Sequence, residues 1–387
     1  MQYWIYSEKV PPDHSGSGSR CIKHAEWLAK DKNRKVTIIT TTRNPKPANG
    51  VSYITLKCKM GKGIFVQYLN LIIKYLQLRK HINSQKVIPH LFHSFGGGPN
   101  AFIFASICKS YKIPLICEVV VTLPPFSFSR KLNPNYWMCK FGLQKSDKVI
   151  AISEGVKKSI FDSKIKCIVD IIPNAVDINL FKPVNYKEKL LLRKKLGLPE
   201  KRTIILMVGR FCLRKGYDIG IKICSQMNRN ILLVAVGPYD DKGLIEIKNR
   251  LTFKEIRYLY SDNVILKGQQ INIEEYFQSC DIFLFPSRKE GFGNVLIEAM
   301  ACKIPVVSSL LDGITNTIIK DQSTGFLISS EDPKVYIKAI HKYIENPTLI
   351  SKITSRARNI SIKNFSNQTI YDQYEFLYNR LLKNMPP

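Results

Sequence analysis

Short apolar runs alternate with longer amphipathic stretches along almost the whole chain. The runs KVTIITT (35–41) and TIILMVG (203–209) are rich in β-branched residues, and Gly, Pro or Ser ends most runs of this kind. Runs that are apolar on both faces belong to parallel strands covered by helices. The alternation therefore predicts an α/β chain built from doubly wound parallel sheets.

The series of strands and helices occurs twice. Between the two series, NLFKPVNYKEKLLLRKKLGLPEKR (179–202) is polar and highly charged. We predict an N-terminal, acceptor-side domain over 1–183, a linker with one helix over 184–202, and a C-terminal domain over 203–365. A last helix over 366–387 is expected to cross back toward the first domain. Because ligands bind at the carboxyl ends of such strands, the natural site is a cleft between the two domains.

The charge balance is strongly basic, with 59 Lys and Arg against 30 Asp and Glu, and no acid lies between Lys32 and Cys117. Such a field favours an anionic partner, namely nucleic acid, a membrane surface or a phosphorylated substrate. A coding bias toward lysine would explain the total charge equally well. No RRM, KH or helix-turn-helix pattern accompanies the charge, so nucleic-acid binding is the weaker alternative.

Ten cysteines are scattered along the chain without a CxxC pair. This usage is typical of reduced, buried thiols in a cytosolic protein and argues against a disulfide framework or a zinc site. The opening MQYWIYSEKVPP lacks the apolar run of a signal peptide, and no run approaches the roughly 18 apolar residues that span a bilayer. A cytoplasmic location is therefore predicted.

The stretch EGFGNVLIEA (290–299) places a glycine turn in front of an apolar helix. Gly291 and Gly293 permit a tight turn, and the helix N-terminus that follows favours an anion. Glu290 precedes this anion cradle and Glu298 lies inside the helix. Carboxylates accept hydrogen bonds from hydroxyls, so the order matches the hexose, diphosphate and ribose of a sugar nucleotide. The alternative is that both glutamates are solvated surface charges.

A second segment, VGRFCLRKGYDIGIKI (208–223), supplies positive charge. It places Arg210 and Lys215 just after a predicted strand, around a turn at Gly216. Two cations at the carboxyl end of a strand suit a diphosphate leaving group.

With these segments the sequence resembles a known family, the retaining GT-B glycosyltransferases of family 4. The matching motifs of the second domain are VGR…KG.D (208–218), LKG (266–268), CDIFLFPSRKEGFGNVLIEAMACKIPVVSS (280–309) and STGFLI (323–328). Those of the first domain are KSDKVIAISEGVKKSI (145–160), IIPNAVDINLFKP (171–183) and the glycine-rich PPDHSGSGSR (11–20). The resemblance covers nearly the whole chain and implies the GT-B fold, two Rossmann-like domains facing across a cleft.

The resemblance also implies a role for each motif residue. Glu298 would hold the ribose hydroxyls and Glu290 the hydroxyls of the donor sugar. Arg210 and Lys215 would neutralise the departing diphosphate. The donor site would further include Gly291, the amides of Phe292, Gly293 and Asn294, Gly268 of LKG, and Gly16 and Gly18 of the first domain.

The implied function is transfer of a hexose, with retained anomeric configuration, from a UDP-, GDP- or ADP-sugar to a hydroxyl of a glycan or lipid-linked acceptor. Family members usually need no metal for catalysis, and the chain has no DxD motif. No cofactor is therefore expected, since the nucleotide sugar is a substrate. The alternatives are a sugar-nucleotide-binding pseudoenzyme or another GT-B enzyme such as an epimerase or a phosphorylase.

Departures from the family pattern concern mainly the sugar pocket. Val120 stands where many relatives have a histidine, and His93 is the nearest strand-end histidine, either in the pocket or structural. Asp312 and Asn316 in DGITN replace a glycine and a glutamate, and Lys303 replaces the glycine of MACG.

The segment GKGIFVQYLNLIIKYLQLRKH (61–81) predicts an amphipathic helix. Its apolar residues recur at helical spacings, namely Ile64, Phe65, Tyr68, Leu69, Ile72, Tyr75 and Leu76. The basic residues that flank them are Lys62, Lys74, Arg79 and Lys80. A basic helix with aromatic residues is typical of a membrane-surface anchor, so we predict peripheral, salt-sensitive binding to anionic membranes through residues 1–183. The alternative is an ordinary helix packed on the first sheet.

Overall fold

The computed structural model of the protein describes residues 1–13, 16–59, 61, 63–85, 88–127, 129, 132–228 and 230–383. The chain divides into two compact units. The first consists of Met1–Pro173 and the chain from Tyr371 onward, and the second consists of Asn174–Ile370. Each unit contains one parallel sheet flanked by helices, so the prediction of two doubly wound parallel-sheet domains is confirmed.

The sheet of the first unit is described through strands β1 (Gln2–Tyr6), β2 (Lys35–Thr40), β3 (Val51–Thr55), β4 (Leu91–Ser94), β5 (Leu115–Val119), β6 (Lys148–Ala151) and β7 (Val169–Ile171). Their order is β3-β2-β1-β4-β5-β6-β7. The central strand β1 pairs Ile5 with Ile38 on one side and with His93 on the other, and all three side chains are buried. The strand order reverses between β1 and β4, which makes this pair the switch point of the sheet.

The helices described in the first unit are α1 (Gly16–Leu28), α2 (Ile64–Gln85), α3 (Asn100–Ser110), α4 (Pro134–Lys145) and α5 (Glu154–Asp162). Local sequence fixes several of their ends. Asn133 caps α4 by accepting a hydrogen bond from the Asn135 amide at 2.9 Å, with proline in the first helical position. Ser153 caps α5 through the Val156 amide at 3.2 Å.

Helix α2 exposes much of the apolar stripe that the sequence predicts. Ile64, Phe65, Ile72 and Leu76 are between 56% and 79% exposed, so they do not pack on the sheet. The opposite face is buried. Lys74, predicted to flank the stripe, lies on that buried face and binds Glu8, with Nζ 2.8 Å from Oε2; this part of the prediction was wrong. Its position on the helix directs it toward the sheet. Lys62 lies outside the described residues.

The sheet of the second unit is described through strands β8 (Thr203–Val208), β9 (Ile231–Val236), β10 (Val264–Leu266), β11 (Ile282–Phe285), β12 (Val306–Ser309) and β13 (Phe326–Ile328). Their order is β10-β9-β8-β11-β12-β13, so the switch point lies between β8 and β11. Aliphatic side chains such as Ile205, Leu233, Leu284 and Val307 form a continuous buried core around this sheet.

The remaining described helices are α6 (Tyr186–Leu196), α7 (Tyr217–Ser225), α8 (Asp241–Lys248), α9 (Phe253–Leu259), α10 (Ile273–Ser279), α11 (Asn294–Ala301), α12 (Thr315–Ile318), α13 (Pro333–Glu345), α14 (Pro347–Phe365) and α15 (Asn367–Lys383). Helix α6 is the helix predicted for the linker. It begins with a capping box between Asn185 and Glu188, and it ends at Gly197 with φ of 66°.

The boundary between the units differs from the boundary placed at 183. Residues 174–183 belong to the second unit. There the Val176 amide donates a hydrogen bond of 2.8 Å to the Phe365 carbonyl, and Val176 forms a β-bridge with Ser366. These backbone bonds tie the segment to the end of α14, a pairing that local sequence does not reveal.

In the first unit, residues of α15 take part in a buried polar cluster. Glu118, on β5, is fully buried, pairs with Arg20 of α1 and accepts a hydrogen bond from the Tyr374 hydroxyl. Burial alone would raise the pKa of Glu118, but the Arg20 guanidinium and the neighbouring His93 and Tyr374 lower this pKa to about 2. The ionised carboxylate therefore stabilises the unit above about pH 4.5, and this contribution is lost as the pH falls toward 2.

Replacing Glu118 tests this cluster. We expect Glu118→Gln to lower the free energy of unfolding by about 3–5 kcal/mol at neutral pH, because Arg20 is left as a buried charge without its partner. Urea unfolding followed by circular dichroism measures the loss. The matched control is Glu375→Gln on α15, whose carboxylate pairs with Arg34 at 2.7 Å in a more exposed position and should cost at most about 1 kcal/mol. Equal losses in the two variants would contradict this view of the cluster.

Candidate functional site

Two loops meet at the switch point of the second sheet. One follows β8 and runs through 209–216, and the other follows β11 and runs through 286–293. They leave the carboxyl ends of adjacent parallel strands, which is the edge where open α/β sheets bind ligands. Apart from Gly268, the site residues predicted in the second domain lie on these two loops or on α11.

Backbone contacts hold the two loops together. Gly216 adopts φ of 73°, and a Cβ at this position would lie 2.0 Å from the Pro286 carbonyl oxygen. The carbonyl of Arg214 accepts hydrogen bonds from the Arg288 amide at 2.9 Å and from the Ser287 hydroxyl at 3.1 Å. Only glycine permits both the left-handed backbone and the close approach.

Three donors converge on one oxygen of Glu290. Lys215 Nζ lies 2.6 Å from Oε1, the Ser287 hydroxyl donates to the same atom at 2.7 Å, and Arg214 Nη1 lies 3.3 Å from it. The side chains of Lys215 and Glu290 are both largely buried. Lys215 was predicted to bind the diphosphate and Glu290 the sugar, whereas in this structure the two side chains form an ion pair.

The turn before α11 has the geometry expected of an anion cradle. Gly293 adopts φ of 109°, and Asn294 is the first residue of the helix. The first amides of any helix lack acceptors within the helix and carry the positive end of its dipole. Phe292 is buried and anchors the turn, while the half-buried Glu298 lies one turn into the helix.

Arg210 lies in the loop that follows β8, and Gly268 lies after β10 at the same edge of the sheet. Arg210 is exposed, with Nη1 3.5 Å from Asp240 Oδ2. Gly268 follows β10 with φ of 62°, and its carbonyl accepts a hydrogen bond of 2.8 Å from the Gly237 amide after β9. Cations, a helix N-terminus and two carboxylates are therefore gathered at the carboxyl edge of one sheet. This is a chemistry suited to a ligand with a diphosphate between hydroxylated groups.

Two models of known protein families match the chain. The model described as "Glycosyl transferases group 1" matches residues 188–360, and the model described as "Glycosyltransferase Family 4" matches residues 14–180. The chain belongs to the group 1 glycosyl transferases. Both matches together cover most of the two sheets and include every predicted site residue.

Relatives with assigned names are distant. The chain is 29% identical over 257 residues to the capsular polysaccharide biosynthesis glycosyltransferase CapM of Staphylococcus aureus, and this stretch covers 64% of the chain and 65% of CapM. It is 26% identical over 253 residues to the N-acetyl-alpha-D-glucosaminyl L-malate synthase of Bacillus anthracis, covering 64% of the chain and 63% of that enzyme. In both cases the match spans less than two thirds of the relative's length.

Solved structures share the fold over nearly the whole chain. Anabaena HepE in complex with UDP matches with a TM-score of 0.80 and 19% identity, covering 98% of this chain and 100% of HepE. Sucrose-phosphate synthase from Thermosynechococcus elongatus matches with a TM-score of 0.83 and 20% identity, covering 99% of this chain and 100% of the synthase. The GT-B prediction for this group 1 glycosyl transferase is thereby confirmed at the level of fold.

The two glycines predicted from the first domain differ in position from the expected loop. Gly16 is the first residue of α1 and faces open space. Gly18 is buried in the first turn of α1, where a Cβ would lie 2.0 Å from the Lys9 carbonyl oxygen. Its lack of a side chain is therefore required by packing inside the first unit. The sequence did not show this close approach.

His93 has the surroundings of a structural residue. Its side chain is fully buried, Nδ1 lies 2.6 Å from the Tyr378 hydroxyl, and Nε2 lies 3.3 Å from Glu118 Oε1. The same Tyr378 hydroxyl lies 2.6 Å from His24 Nε2. The pKa of His93 is lowered by burial, which favours the neutral imidazole. In this conformation His93 cannot reach a sugar, so the structural alternative explains it.

The structure shows the backbone conformation or the contacts of the residues that depart from the family pattern. Lys303 adopts φ of 58° after α11, a conformation that favours the glycine of the family pattern. Asn316 donates a hydrogen bond of 3.2 Å to Asp312 Oδ1, so the two replaced positions of DGITN contact each other. Val120 directly follows β5 and is half-buried.

Arg214 and Ser287 are site residues that the sequence analysis did not single out. Arg214 also donates a hydrogen bond of 2.9 Å to the Lys289 carbonyl, beside its contact with Glu290. The sequence could have indicated these two residues only through their neighbours, since Arg214 directly precedes Lys215 and Ser287 follows the strand before the glycine turn. Spacing alone could not show that both side chains point at the same carboxylate.

The glycine contact between the loops gives a prediction about stability. Gly216→Ala should lower the free energy of unfolding by about 3 kcal/mol or more, because the methyl group meets the Pro286 backbone in a strained conformation. The control is Gly197→Ala, which has a similar φ of 66° but no atom within 4 Å of the added carbon. This control should lose only about 1–2 kcal/mol. Urea unfolding compares the two variants, and a loss in Gly216→Ala no larger than in Gly197→Ala would refute the close contact.

Proposed function

We propose that this group 1 glycosyl transferase moves a hexose from a nucleoside-diphosphate sugar to a hydroxyl of a glycan or lipid-linked acceptor, with retention of the anomeric configuration. The observation that carries the proposal is the arrangement of Glu290, Lys215 and Glu298 around the helix N-terminus at the switch point. Carboxylates on both sides of a cationic cradle fit hydroxyl groups on both sides of a diphosphate.

In the proposed reaction the bond between the anomeric carbon and the phosphate oxygen breaks, and its electron pair leaves with the diphosphate. The acceptor oxygen forms a new bond to the same carbon on the same face. Its proton passes to the departing phosphate oxygen. Arg210, Lys215 and the first amides of α11 stabilise the negative charge that develops on the diphosphate, which is the main catalytic contribution.

The ion pair at the site implies an exchange of partners when the donor binds. Lys215 leaves Glu290 to reach the diphosphate. Arg214 and Ser287 then remain to hold Oε1 of Glu290, which lies 3.3 and 2.7 Å from them in this structure. These donors contact Oε1, so the other carboxylate oxygen is the one we assign to the hydroxyls of the donor sugar.

We favour UDP as the nucleotide and Glu298 as the group that binds its ribose. HepE, which shares the fold at 19% identity, has been solved with UDP, and another of its structures contains UDP-glucose. GDP- and ADP-sugars are the alternatives that the same chemistry of hydroxyls and diphosphate would accept. Gly268, Gly291 and the first-unit residues Gly16 and Gly18 are included in the donor site on the basis of the family resemblance.

Substituting the two glutamates separates their proposed roles. Glu298→Ala should weaken UDP binding about 10- to 100-fold, because two hydrogen bonds from ribose hydroxyls to a carboxylate are lost. Glu290→Ala should leave UDP affinity unchanged or higher, since Lys215 is freed, while UDP release from UDP-glucose slows about 100-fold. Isothermal titration with UDP and an assay of UDP release measure the two quantities. Equal weakening of UDP binding in both variants would show that this assignment is wrong.

We propose further that turnover needs no divalent metal, because Arg210 and Lys215 supply the positive charge beside the diphosphate. UDP release from UDP-glucose should therefore proceed at an unchanged rate in EDTA. Loss of turnover in EDTA that Mg²⁺ or Mn²⁺ restores would overturn this proposal. Addition of Ca²⁺, which differs in preferred coordination, serves as the control for a general salt effect.

We also propose that the first unit binds an anionic membrane at its cytosolic face through the exposed face of α2. The exposed side chains Phe65, Ile72 and Leu76 follow one another around this face, and Arg79 and Lys80 continue it. No acidic residue lies between Lys32 and Cys117 to oppose an anionic surface. None of the helices in the described part of the chain combines the length and the apolar character of a membrane span.

Further aromatic side chains are exposed on the next two helices of the first unit. Helix α3 packs against both α2 and α4. Phe102 of α3 and Phe141 of α4 are partly exposed, with ring centroids 5.2 Å apart. Trp137 is also exposed, and Lys140 Nζ lies 5.1 Å from the centroid of its ring. Aromatic rings combined with lysine suit the headgroup region of a bilayer.

Co-sedimentation with vesicles tests the membrane proposal. We expect binding to phosphatidylglycerol vesicles at low salt, loss of binding at high salt, and no binding to phosphatidylcholine vesicles. Arg79→Gln with Lys80→Gln should weaken binding by about 2 kcal/mol, roughly 30-fold. The triple variant Phe65→Ser, Ile72→Ser, Leu76→Ser should bind weakly, while Phe376→Ser, at an exposed position of α15, serves as the control. Equal, negligible binding of the unmodified protein to both lipids would remove the membrane role.

A further inference from the structure

The first sheet has its own switch point, between β1 and β4, and the proposed donor site of the second unit does not use it. The chain leaves β1 through Glu8, two residues beyond the end of the strand. It leaves β4 through a glycine run, 96–98, that leads to Asn100 at the start of α3. Ligands of open α/β sheets bind beside loops of this kind, at the carboxyl ends of the strands where the order reverses.

Glu8 is fixed in place by side chains from three other elements. Lys74 of α2 donates to Oε1 at 2.9 Å and to Oε2 at 2.8 Å, and Asn100 Nδ2 donates to Oε2 at 3.0 Å. The Tyr6 hydroxyl of β1 donates a further hydrogen bond to the same carboxylate. Lys74 also donates to Asn100 Oδ1 at 3.1 Å, so the orienting groups are themselves connected.

The carboxylate remains ionised and accessible although its partner lysine is buried. The side chain of Lys74 is 5% exposed, whereas that of Glu8 is 46% exposed. Burial alone would raise the pKa of Glu8, but Lys74 and the hydrogen bonds from Tyr6 and Asn100 lower it below its ordinary value. Glu118, in the same sheet, is also oriented by several donors, but its side chain is fully buried and a ligand cannot reach it.

The glycine run that leads to Asn100, a partner of Glu8, faces open space at two of its positions. Gly96 and Gly98 adopt φ of 136° and 85°, and a Cβ at either position would meet no atom within 4 Å. The loop therefore turns in a way that favours glycine and faces open space. The alternative is that the pair of Lys74 and Glu8 only links α2 to the chain after β1. Such a structural link would not require the carboxylate to face solvent or the glycine loop to be open. A buried ion pair is also by itself only weakly stabilising.

We infer that Glu8, oriented by Tyr6, Lys74 and Asn100, binds the hydroxyl groups of an uncharged sugar unit, the acceptor of the proposed transfer. This inference rests on the proposed function for its assignment to the acceptor. An ionised carboxylate accepts hydrogen bonds from adjacent hydroxyls and repels phosphates and carboxylates. Glu8 also neutralises Lys74, so the cluster offers no free positive charge to an anionic ligand.

Saturation-transfer difference NMR on the full chain tests the inference without any nucleotide. The probes are the methyl and octyl glycosides of glucose, galactose, N-acetylglucosamine and rhamnose. We expect saturable binding of at least one probe. Glu8→Gln should weaken it about tenfold or more, because hydrogen bonds to a charged acceptor are lost. Glu154→Gln, an exposed acid at the start of α5, is the matched control and should bind like the unmodified protein.

A second variant separates ligand binding from folding. Glu8→Gln leaves Lys74 as a buried charge without its carboxylate, so Glu8→Gln with Lys74→Met removes both charges and keeps similar volumes. We expect this double variant to lose sugar binding while its circular dichroism spectrum stays unchanged. Retained binding in the double variant would overturn the inference, as would unweakened binding in Glu8→Gln or no binding of any probe.

The two kinds of probe distinguish the sources of the sugar. Equal binding of methyl and octyl glycosides supports a glycan acceptor, and binding of octyl glycosides alone supports a lipid-linked acceptor. Failure of the proposed transfer would appear differently, as absence of UDP release from UDP-sugars with sugar binding intact. The two claims can therefore fail independently.

Discussion

Parallel strands that are buried on both faces leave few places where charged groups can remain hydrated and still be held rigidly. In each unit of this protein those places are the loops at the carboxyl ends of the strands, beside the point where the strand order reverses. In the second unit this constraint brings Lys215 and Glu290 together from positions 75 residues apart in the chain. The contact between their loops through Gly216 fixes the distance. The pairing of Lys215 with Glu290 depends on that contact.

Glu118, Glu290 and Glu8 are each held by several donors, but their side chains differ in exposure. Glu118 is fully buried and joins α1, β5 and α15 within the first unit, so its role is structural. Glu290 is largely buried but lies at the edge of the sheet. Glu8 is about half exposed. Burial of a charge is costly unless it is paired, and the exposed fraction of the paired charge then decides whether a ligand can reach it.

The periodic alternation in the sequence was sufficient to predict the two parallel sheets, because burial on both faces imposes continuous apolar runs. It did not identify the central strand β1, a short run that lies between the chain start and a charged, proline-containing loop. The helix over 61–81 was predicted with nearly its observed extent. Burial of its Lys74 was not, because the partner Glu8 is 66 residues away.

The candidate donor site could be predicted from motifs because its loops are local in sequence, as in the glycine turn before α11. The pairing of Lys215 with Glu290 and the packing of Gly18 against Lys9 are tertiary contacts, and spacing along the chain carries no information about them. His93 illustrates the opposite case. Its position at a strand end suggested a pocket. In the structure its side chain is buried and contacts the Tyr378 hydroxyl of α15, which comes from a distant part of the chain.

The central claim is that the switch point of the second sheet binds a nucleoside diphosphate between two carboxylates. A crystal structure of the protein soaked with UDP tests it most directly. The account predicts ribose hydroxyls against Glu298, phosphate oxygens within hydrogen-bond distance of Arg210 and Lys215, and Lys215 moved away from its 2.6 Å contact with Glu290. Density for UDP at any other place, or at this edge with the ribose directed away from Glu298, would contradict the account.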